Sequence, residues 1–315
     1  MISIQTPSLK YTSHKEFFIL DQTRLPEKEI WVSIQTPLEM AQAIQSLKVR
    51  GANLIGITAA LSLAQAIEQD MDTQTLKSQC KILEESRPTA IHLKQACSRV
   101  MSQQSRERQI QEAFNIYKED QVACEQMAQV GQSVIQNGDG ILTYCNTGSL
   151  ATGGLGTALG VIKQAHADKK NIFVYACETR PVNQGSRLTF WELQQAKIPS
   201  ALLCDNMVAS LMSQSKIQKV LVGADRISSQ HDVANKIGTL NLAIVARYFK
   251  IPFYVVAPTS SFDSKLLKGS DIPIEQRGPQ EVSLFWAKKQ IYNPSFDITP
   301  RSLITGIITE KAILK

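Results

Sequence analysis

The sequence predicts an α/β protein with a mainly helical N-terminal domain, which carries a small β-sheet, followed by a domain built on a doubly wound parallel sheet. Helical spacing dominates residues 36–136, whereas short apolar runs alternate with helical patterns from Gly140 onward. Such alternation indicates parallel strands joined by helices. Most of each strand candidate is a continuous apolar run, as expected for strands covered on both faces. We assign residues 1–120 to the first domain and residues 121–315 to the second.

The N-terminal domain opens with short apolar runs and continues as helices. Phe17–Leu20 and Glu29–Ile34 favour the small sheet. The capping box Thr36–Glu39 places Pro at the first helical position and starts the first helix. Apolar spacing predicts further helices over Ala52–Gln69, Thr73–Glu85, Thr89–Gln103 and Arg106–Gln136.

The second domain contains five strand candidates, each followed by polar or small residues. The strands are Ile141–Tyr144, Asn171–Ala176, Ser200–Leu203, Lys219–Val222 and Phe253–Val256. The helical patterns between them are Gly154–Ala167, Ser186–Ala196, Asn206–Ser213 and Asn235–Phe249. The residues past the strand ends are Cys145-Asn146, Glu178–Pro181, Asp205-Asn206, Gly223–Arg226 and Ala257-Pro258. Because ligands of open α/β sheets bind at the carboxyl edge of the strands, these tips predict one ligand-binding crevice.

Composition argues against several classes of function. No apolar run approaches the roughly 18 residues that span a bilayer, and the N-terminus lacks the features of a signal peptide, so we expect a cytoplasmic protein without a membrane partner. The net charge of +6 is spread along the chain without a basic block, which disfavours nucleic-acid binding. A mild positive excess suits an acidic metabolite.

The cysteines and histidines show no ligand or disulfide pattern. The six cysteines are scattered, no CxxC pair exists, and the four histidines are isolated from one another along the chain. We therefore predict neither a disulfide framework nor a zinc site.

Cys145 lies in the segment Ile141–Gly156, ILTYCNTGSLATGGLG, where a strand ends in a thiol and a Gly-rich turn leads into a helix. The positive end of a helix favours a thiolate, and such a turn can hold an anion. The other interpretation is a buried cysteine that acts as a small hydrophobe, since Cys177 and Cys204 also end strands.

Asp225, Asn235 and Lys236 form the second group of candidates. Asp225 ends the apolar run KVLVGAD and can serve as a general acid or base if burial raises its pKa. The alternatives are a helix cap or an ion pair with Arg226. Asn235 and Lys236, predicted to precede a helix, can bind hydroxyls and a phosphate. Their alternative is an Asn cap beside a solvated lysine.

Three further candidates lie at helix junctions. Arg50 precedes Gly51 and Ala52, and Arg87 precedes a proline; a guanidinium at either place can bind a phosphate with two hydrogen bonds. The alternative is a pair of ordinary surface arginines. Gln184 begins a helix start that faces the predicted crevice, or else a simple turn.

Several long motifs, in order, resemble those of the methylthioribose-1-phosphate isomerases of methionine salvage. The motifs are RGA at Arg50–Ala52, RPTA at Arg87–Ala90, TYCNTG at Thr143–Gly148, ETRP at Glu178–Pro181, QGSRLTFWEL at Gln184–Leu193, VGADRI at Val222–Ile227, DVANKIGT at Asp232–Thr239 and FDITP at Phe296–Pro300. The resemblance covers nearly the whole chain. The same family includes ribose-1,5-bisphosphate isomerases and regulatory subunits of a translation exchange factor.

The resemblance implies a Rossmann-like second domain, a homodimer and an aldose–ketose isomerase that converts 5-methylthioribose 1-phosphate to 5-methylthioribulose 1-phosphate without a cofactor or metal. It implies that Cys145 and Asp225 carry the chemistry. The residues it implies as substrate contacts are Arg50, Gly51, Ala52, Arg87, Gln184, Asn235 and Lys236. The alternatives are ribose 1,5-bisphosphate or 5-deoxyribose 1-phosphate as substrate, or a non-catalytic regulatory subunit that binds a sugar phosphate.

The chain departs from the pattern of these isomerases at a few positions near the motifs. Asn53-Leu54 replaces Pro-Ala after RGA, His92 replaces Asn after RPTA, Gly153 replaces Ala, and Cys177 replaces Asp before ETRP. None of these positions belongs to the Cys145–Asp225 pair.

Overall fold

The computed structural model describes residues 2–14, 16–286 and 288–315, and this part of the chain divides into two compact units. The first unit comprises Met1–Val122 together with Ser149–Gly156, and the second comprises Ala123–Gly148 and Thr157–Lys315. The Gly-rich segment that follows Cys145 therefore belongs to the N-terminal unit. The sequence pattern does not reveal this excursion, because the segment reads locally as a strand-to-helix turn.

An antiparallel sheet opens the first unit. Its strands, in the order in which they pair, are β1 (Ser3–Gln5), β2 (Leu9–Thr12), β3 (Glu16–Leu20) and β4 (Trp31–Ser33). The small sheet expected from Phe17–Leu20 and Glu29–Ile34 is confirmed by β3 and β4. β1 and β2 were not predicted, because three or four residues are too few to show an alternating pattern.

The predicted helices of the first part of the chain all form. They are α1 (Pro37–Gln45), α2 (Ala52–Glu68), α3 (Thr73–Ser86), α4 (Ile91–Met101) and α5 (Arg106–Val130). Thr36 caps α1 by accepting the Glu39 N–H at 3.2 Å, as predicted. α2 is buried on every face from Leu54 to Ile67, so it forms the centre of the helical layer. α5 ends in a 3₁₀ turn at Gly131–Val134, short of the predicted Gln136. Among the described helices, none combines the length and apolar character that crossing a membrane requires.

The second unit alternates strands and helices. Its elements are β5 (Gly140–Thr143), α6 (Ala158–Ala167), β6 (Phe173–Cys177), α7 (Phe190–Gln195), β7 (Ser200–Leu203), α8 (Val208–Ser213), β8 (Lys219–Val222), β9 (Arg226–Ser228), β10 (Val233–Lys236), α9 (Thr239–Tyr248), β11 (Phe253–Val256), β12 (Phe262–Asp263), β13 (Phe296–Thr299), β14 (Gly306–Ile308) and β15 (Ile313–Leu314). All five predicted strands are present.

The main sheet of this unit has the strand order β15-β14-β11-β8-β5-β6-β7. Its pairs are parallel except for β14 with β15. Numbered along the chain, the six parallel strands run in the order 3-2-1-4-5-6, which is the doubly wound, Rossmann-like arrangement. The predicted α/β fold class is confirmed.

A second, smaller sheet has the order β12-β9-β10-β13 and corrects the prediction for Asn235 and Lys236. These residues precede a helix, as predicted, but they end strand β10 and lie outside that helix, because Val233–Lys236 pairs with β13 and, over its first residues, with β9. α9 starts only at Thr239, after Gly238 takes a left-handed φ of 103°. The predicted helix over Asn235–Phe249 was therefore too long at its N-terminus, since pairing between distant segments leaves no local signal.

Candidate active site

The main sheet reverses its winding between β5 and β8, and two predicted site residues lie at that point. Cys145 lies just beyond the carboxyl end of β5, and Asp225 lies just beyond that of β8. The two strands are hydrogen-bonded neighbours, with Thr143 opposite Leu221. Ligands of doubly wound sheets bind in the crevice at this switch point. The strand order thus selects two of the five polar strand tips that the sequence presented as equivalent.

Cys145 has a left-handed backbone conformation, with φ 61°, that non-glycine residues seldom adopt. Its N–H donates to Thr179 Oγ1 at 2.9 Å, and its carbonyl accepts from Thr189 Oγ1 at 2.5 Å. The side chain is buried, with 8% of the residue exposed. Two threonine hydroxyls from separate segments therefore hold the backbone on both sides of this thiol, which is how a strained conformation persists.

Thr179 connects Cys145 to the half-buried carboxylate of Asp205. The Thr179 hydroxyl donates to the Cys177 carbonyl at 3.1 Å while it accepts the Cys145 N–H. The backbone N–H groups of Thr179 and Arg180 donate to the Asp205 carboxylate at 2.8 and 2.7 Å. Burial raises the pKa of Asp205, although the hydrogen bonds from Arg180 and Thr179 oppose this rise. Asp205 thus fixes the loop that positions Cys145. The sequence marked Asp205 only as one polar strand tip among five.

The residues that follow Cys145 are anchored by Glu192. Asn146 Nδ2 donates to Glu192 Oε1 at 2.8 Å, and Lys163 Nζ lies 2.7 Å from Glu192 Oε2. The residue Glu192 is only 3% exposed, so its charge needs these partners. A Cβ on Gly148 would lie 2.3 Å from both carboxylate oxygens, which explains the glycine at this position.

Strand β5 and helix α6 are joined through Thr147 rather than through the Gly-rich turn. The Thr157 N–H donates to the Thr147 carbonyl at 2.8 Å, and the Leu159 N–H donates to Thr147 Oγ1 at 3.1 Å. The amide of Leu159, in the first turn of α6, is therefore already bonded. The segment between these residues leaves the second unit and returns. The predicted helix start at Gly154 is wrong, since α6 begins at Ala158.

Asp225 is half-buried and immediately precedes strand β9, so its interpretation as a helix cap is wrong. Its N–H donates to the Ala234 carbonyl at 2.9 Å. Arg226 pairs with Ala234 in the β9–β10 register. Arg226 Nη1 lies 3.6 Å from Asp263 Oδ2.

Asn235 and Lys236 are both buried, so the interpretation of Lys236 as a solvated lysine is wrong. Asn235 Nδ2 donates to Thr239 Oγ1 at 3.0 Å, and Lys236 Nζ lies 5.1 Å from the centre of the Phe296 ring. Lys236 is only 9% exposed. The Tyr144 hydroxyl donates to the Ile237 carbonyl at 2.9 Å, which ties the end of β10 to the residue before Cys145.

Asp297 lies on β13, the strand that pairs with β10, and is opposite Asn235. Its carboxylate accepts the N–H of Gly238 at 2.7 Å and that of Leu240 at 3.1 Å, and so caps the start of α9. Burial raises the pKa of Asp297 to about 6, against the effect of these hydrogen bonds and of the Lys236 charge. The sequence reasoning missed this residue, although its FDITP motif was noted.

Gln184 precedes a π-helical turn, Gly185–Thr189, and such turns are frequent at functional sites. The residue is 7% exposed, and its Oε1 has no hydrogen-bond partner within the described part of the chain. A buried acceptor without a donor costs about 1–3 kcal/mol, so Oε1 is suited to a hydroxyl of a ligand. A Cβ on Gly185 would lie 1.7 Å from the Cys177 carbonyl, which shows how closely this turn packs on β6.

The remaining predicted residues, Arg50, Gly51, Ala52 and Arg87, belong to the first unit. Gly51 is the N-cap of the long helix α2 and has φ 99°. A Cβ there would lie 2.7 Å from Ala151, whose carbonyl accepts the Leu54 N–H at 3.1 Å. Ala52 is the first residue of α2, and Arg87 is the C-cap of α3. The start of a long helix presents N–H groups to an anion.

Two departures from the isomerase motifs have a structural explanation in the first unit. Asn53 Nδ2 donates to Asp120 Oδ1, and Asp120 Oδ2 accepts the Gly153 N–H at 2.6 Å. Asn53 and Gly153 thus share one carboxylate. An added Cβ at Gly153 would lie 3.0 Å from Tyr117 Cδ2 and 3.1 Å from Ile57 Cδ1. The glycine therefore fits where an alanine would be tight.

Comparison with known proteins identifies the family. The Initiation factor 2 subunit family matches residues 48–315. This chain belongs to that family. The chain is 42% identical over 327 aligned residues to methylthioribose-1-phosphate isomerase of Yersinia pestis (strain Pestoides F), with 99% of this chain and 94% of the relative covered. The resemblance stated from the motifs is confirmed.

Solved structures of the family have the same fold. The crystal structure of 5-methylthioribose 1-phosphate isomerase from Pyrococcus horikoshii OT3 matches with a TM-score of 0.90 at 37% identity, covering 98% of this chain and 92% of that chain. A structure of translation initiation factor eIF-2B, subunit delta, from A. fulgidus matches with a TM-score of 0.84 at 38% identity, covering 98% and 96%.

Proposed function

We propose that this protein is an aldose–ketose isomerase that converts 5-methylthioribose 1-phosphate to 5-methylthioribulose 1-phosphate in methionine salvage. The observation that carries the proposal is the position of Cys145 and Asp225 at the switch point of the sheet. This placement of Cys145 and Asp225 occurs in a chain that is 42% identical, over nearly its full length, to a relative named methylthioribose-1-phosphate isomerase.

The substrate explains why an acid is needed. The anomeric oxygen carries the phosphate, so the sugar ring does not open to a free aldehyde by itself. We assign to Asp225 the donation of a proton to the ring oxygen as the bond from that oxygen to C1 breaks. The hydrogen on C2 then moves to C1, and the C2 hydroxyl returns a proton to Asp225 as it becomes the carbonyl. The oxidation of C2 balances the reduction of C1, so the reaction needs no external oxidant or reductant.

Cys145 is assigned to the transfer between C2 and C1. In one route the thiolate removes the C2 proton, an enediolate-like enol phosphate with a double bond between C1 and C2 forms, and the proton is returned to C1. In the other route a hydride moves directly, and Cys145 stabilises the transition state. The backbone of Cys145 is buried and makes hydrogen bonds through both its N–H and its carbonyl. This supports either role, because a reacting group must be held within a fraction of an ångström. Deuterium from solvent at C1 of the product distinguishes the first route from the second.

Substrate binding is assigned to the other predicted site residues. The buried Lys236 and Asn235 suit a phosphate and a hydroxyl, and Gln184 Oε1 suits a hydroxyl donor. We propose that Arg50, Gly51, Ala52 and Arg87 contact the substrate as well. The support for this is the N-terminus of α2 with its left-handed Gly51 and the RGA and RPTA motifs.

We also propose that the protein is a cytoplasmic homodimer, as the resemblance implies. An apolar surface on α9 supports the dimer, since Ile244 and Tyr248 lie one turn apart and are 51% and 80% exposed. Light scattering of the purified protein measures the oligomeric state, and Tyr248→Glu should shift it toward the monomer. A monomeric wild-type protein would contradict the proposed dimer but would leave the roles assigned to Cys145 and Asp225 unaffected.

An NMR assay with 5-methylthioribose 1-phosphate tests the function. We expect the wild type to form the ketose, and we expect Cys145→Ser and Asp225→Asn to lower kcat by at least about 100-fold, the range of lost acid–base catalysis. Cys204→Ser, another strand-end cysteine, and the exposed Asp168→Asn are matched controls that should keep full activity. Full activity in Asp225→Asn would disprove the assigned acid.

The same assay decides between this function and the alternatives. The likeness to the A. fulgidus structure, at 38% identity, favours a regulatory subunit as the second candidate. Binding of the sugar phosphate without turnover would support that candidate. A higher kcat/KM for ribose 1,5-bisphosphate or 5-deoxyribose 1-phosphate would change the substrate but not the reaction.

A further inference from the structure

Helices α3 and α4 of the first unit bring together two thiols and a carboxylate outside the candidate active site. Cys80 and Glu84 lie one turn apart on α3, and Cys97 lies on α4. One ligand atom from each residue lies within 4.8 Å of the other two. Both cysteines belong to the core of this unit, whereas Glu84 is half-buried.

We propose that Cys80, Glu84 and Cys97 form a binding site for a thiophilic divalent cation of the Zn²⁺ class, which ties α3 to α4. Zinc accepts thiolates and carboxylates in a tetrahedral arrangement, with bonds of about 2.3 Å to sulfur and about 2.0–2.2 Å to oxygen. Ligand atoms of such a site lie about 3.5–3.8 Å apart, by those bond lengths. The three side chains therefore need to approach by about 1 Å at most. The partial exposure of Glu84 allows water to supply the fourth ligand.

The electrostatics of the cluster favour a cation. A divalent cation compensates the charge of Glu84 and of both thiolates. Binding forms two metal–sulfur bonds and one metal–oxygen bond and releases the two thiol protons, so affinity rises with pH.

A disulfide is the competing use of two adjacent thiols, and the carboxylate argues against it. A disulfide has no role for Glu84, whose charge disfavours the thiolate that attacks in oxidation. A metal uses all three groups. The cytoplasmic setting proposed above also keeps thiols reduced.

Metal titration of the full-length protein, reduced and stripped by a chelator, tests the site. Co²⁺ serves as the probe, because thiolate ligands give it an intense charge-transfer absorption, and Zn²⁺ should displace it. We expect one Co²⁺ for each chain. Cys97→Ser should weaken Co²⁺ binding by more than about tenfold. Loss of a group that only hydrogen-bonds to a metal ligand already lowers metal affinity by about 10–100-fold. Cys124→Ser removes a buried cysteine elsewhere and should leave binding unchanged.

A second variant keeps the test sound if the core cysteine variants fail to fold. Glu84→Gln alters a half-buried side chain, so its melting temperature without metal should match that of the wild type, while its affinity for Co²⁺ falls. Addition of Zn²⁺ should raise the melting temperature of the wild type more than that of Glu84→Gln. Absence of the thiolate absorption in the wild type, or its persistence in Cys97→Ser, overturns the proposal. So does a purified protein that lacks two hydrogen masses in a linked pair of Cys80 and Cys97 peptides, which would identify a disulfide.

Discussion

At the scale of single residues, the candidate site depends on a short chain of hydrogen bonds that ends at Cys145. Asp205 holds the N–H groups of Thr179 and Arg180, and the Thr179 hydroxyl holds the N–H of Cys145. Both Cys145 and Thr179 have left-handed φ angles, of 61° and 65°. Threonine and cysteine seldom adopt this conformation, so the hydrogen bonds offset the free energy that the left-handed backbone costs.

Thr179 offers a matched pair of substitutions that tests this positioning. Thr179→Val removes the hydroxyl at nearly constant shape and leaves the buried Cys145 N–H without its acceptor. We expect kcat to fall by about 10- to 100-fold with little change in KM, because Cys145 is misplaced rather than lost. Thr179→Ser keeps the acceptor and should retain most of the activity. Equal kinetics for the two variants, or an effect confined to KM, would show that Thr179 has only a structural role.

At the scale of elements, the Gly-rich segment after Cys145 shows where local patterns mislead. A strand, a glycine turn and a helix follow one another in the sequence, yet the chain passes through the first unit between Gly148 and Thr157. There, Asp120 on α5 accepts the N–H of Gly153 and the side-chain amide of Asn53. One carboxylate therefore joins the start of α2 to this segment, a contact between residues far apart in sequence.

Asp120→Ala should destabilise the protein through loss of both hydrogen bonds. Hydrogen bonds to a charged group contribute about 1.5–3 kcal/mol each, and the Gly153 N–H would lose its acceptor. We expect the free energy of unfolding in urea to fall by about 3–6 kcal/mol. Lys118→Ala, an exposed position on the same helix, is the control and should change stability by no more than about 0.5 kcal/mol. If both variants unfold at the same urea concentration, the Asp120 contacts contribute nothing.

At the scale of the whole molecule, the second unit combines a doubly wound sheet with a smaller sheet that carries Asn235 and Lys236. The register of β10 with β13 sets Asn235 opposite Asp297. The half-buried carboxyl of Asp297, with a pKa of about 6, interacts with the start of α9 and with the charge of Lys236. Its titration links the stability of the fold to pH.

Asp297 should make the protein less stable as pH rises from about 4 to above 6. The carboxyl has a pKa of about 6 in the folded protein against an ordinary value of 3.8, so the folded state binds the proton more tightly. Its contribution is fully present below pH 3.8 and is lost as pH rises through 6. The difference between these two pKa values corresponds to about 3 kcal/mol in the free energy of unfolding.

Urea unfolding of the wild type and Asp297→Asn across this range measures the effect. The wild type minus Asp297→Asn difference in unfolding free energy should decrease with rising pH. Asp168→Asn, which removes an exposed carboxylate from the same unit, is the matched control variant. A difference that stays constant with pH would disprove the assignment to Asp297.

The parts of the fold that the sequence predicted are those with local signals. The cap at Thr36, the apolar helix α2 and the strands at Ser200–Leu203 and Lys219–Val222 lie where the pattern indicated. The strands of the small sheets, such as β1 and β10, were missed because they are short and gain their stability from distant partners. The proximity of Cys80 to Cys97 was not predicted for the same reason, since the two cysteines lie on different helices and no CxxC spacing indicates it.

The sequence by itself determined the α/β class, the family and the strand tips that present Cys145 and Asp225, because apolar runs, caps and long motifs are local properties of the chain. Only the tertiary structure decided that β5 and β8 are neighbours at the switch point, that Asp205 and Thr179 hold Cys145 in a left-handed conformation, and that Asn235 and Lys236 end a strand. Strand order, register and buried hydrogen bonds arise from pairing between segments distant in sequence. The free energy of that pairing depends on the whole packed unit rather than on any local run of residues.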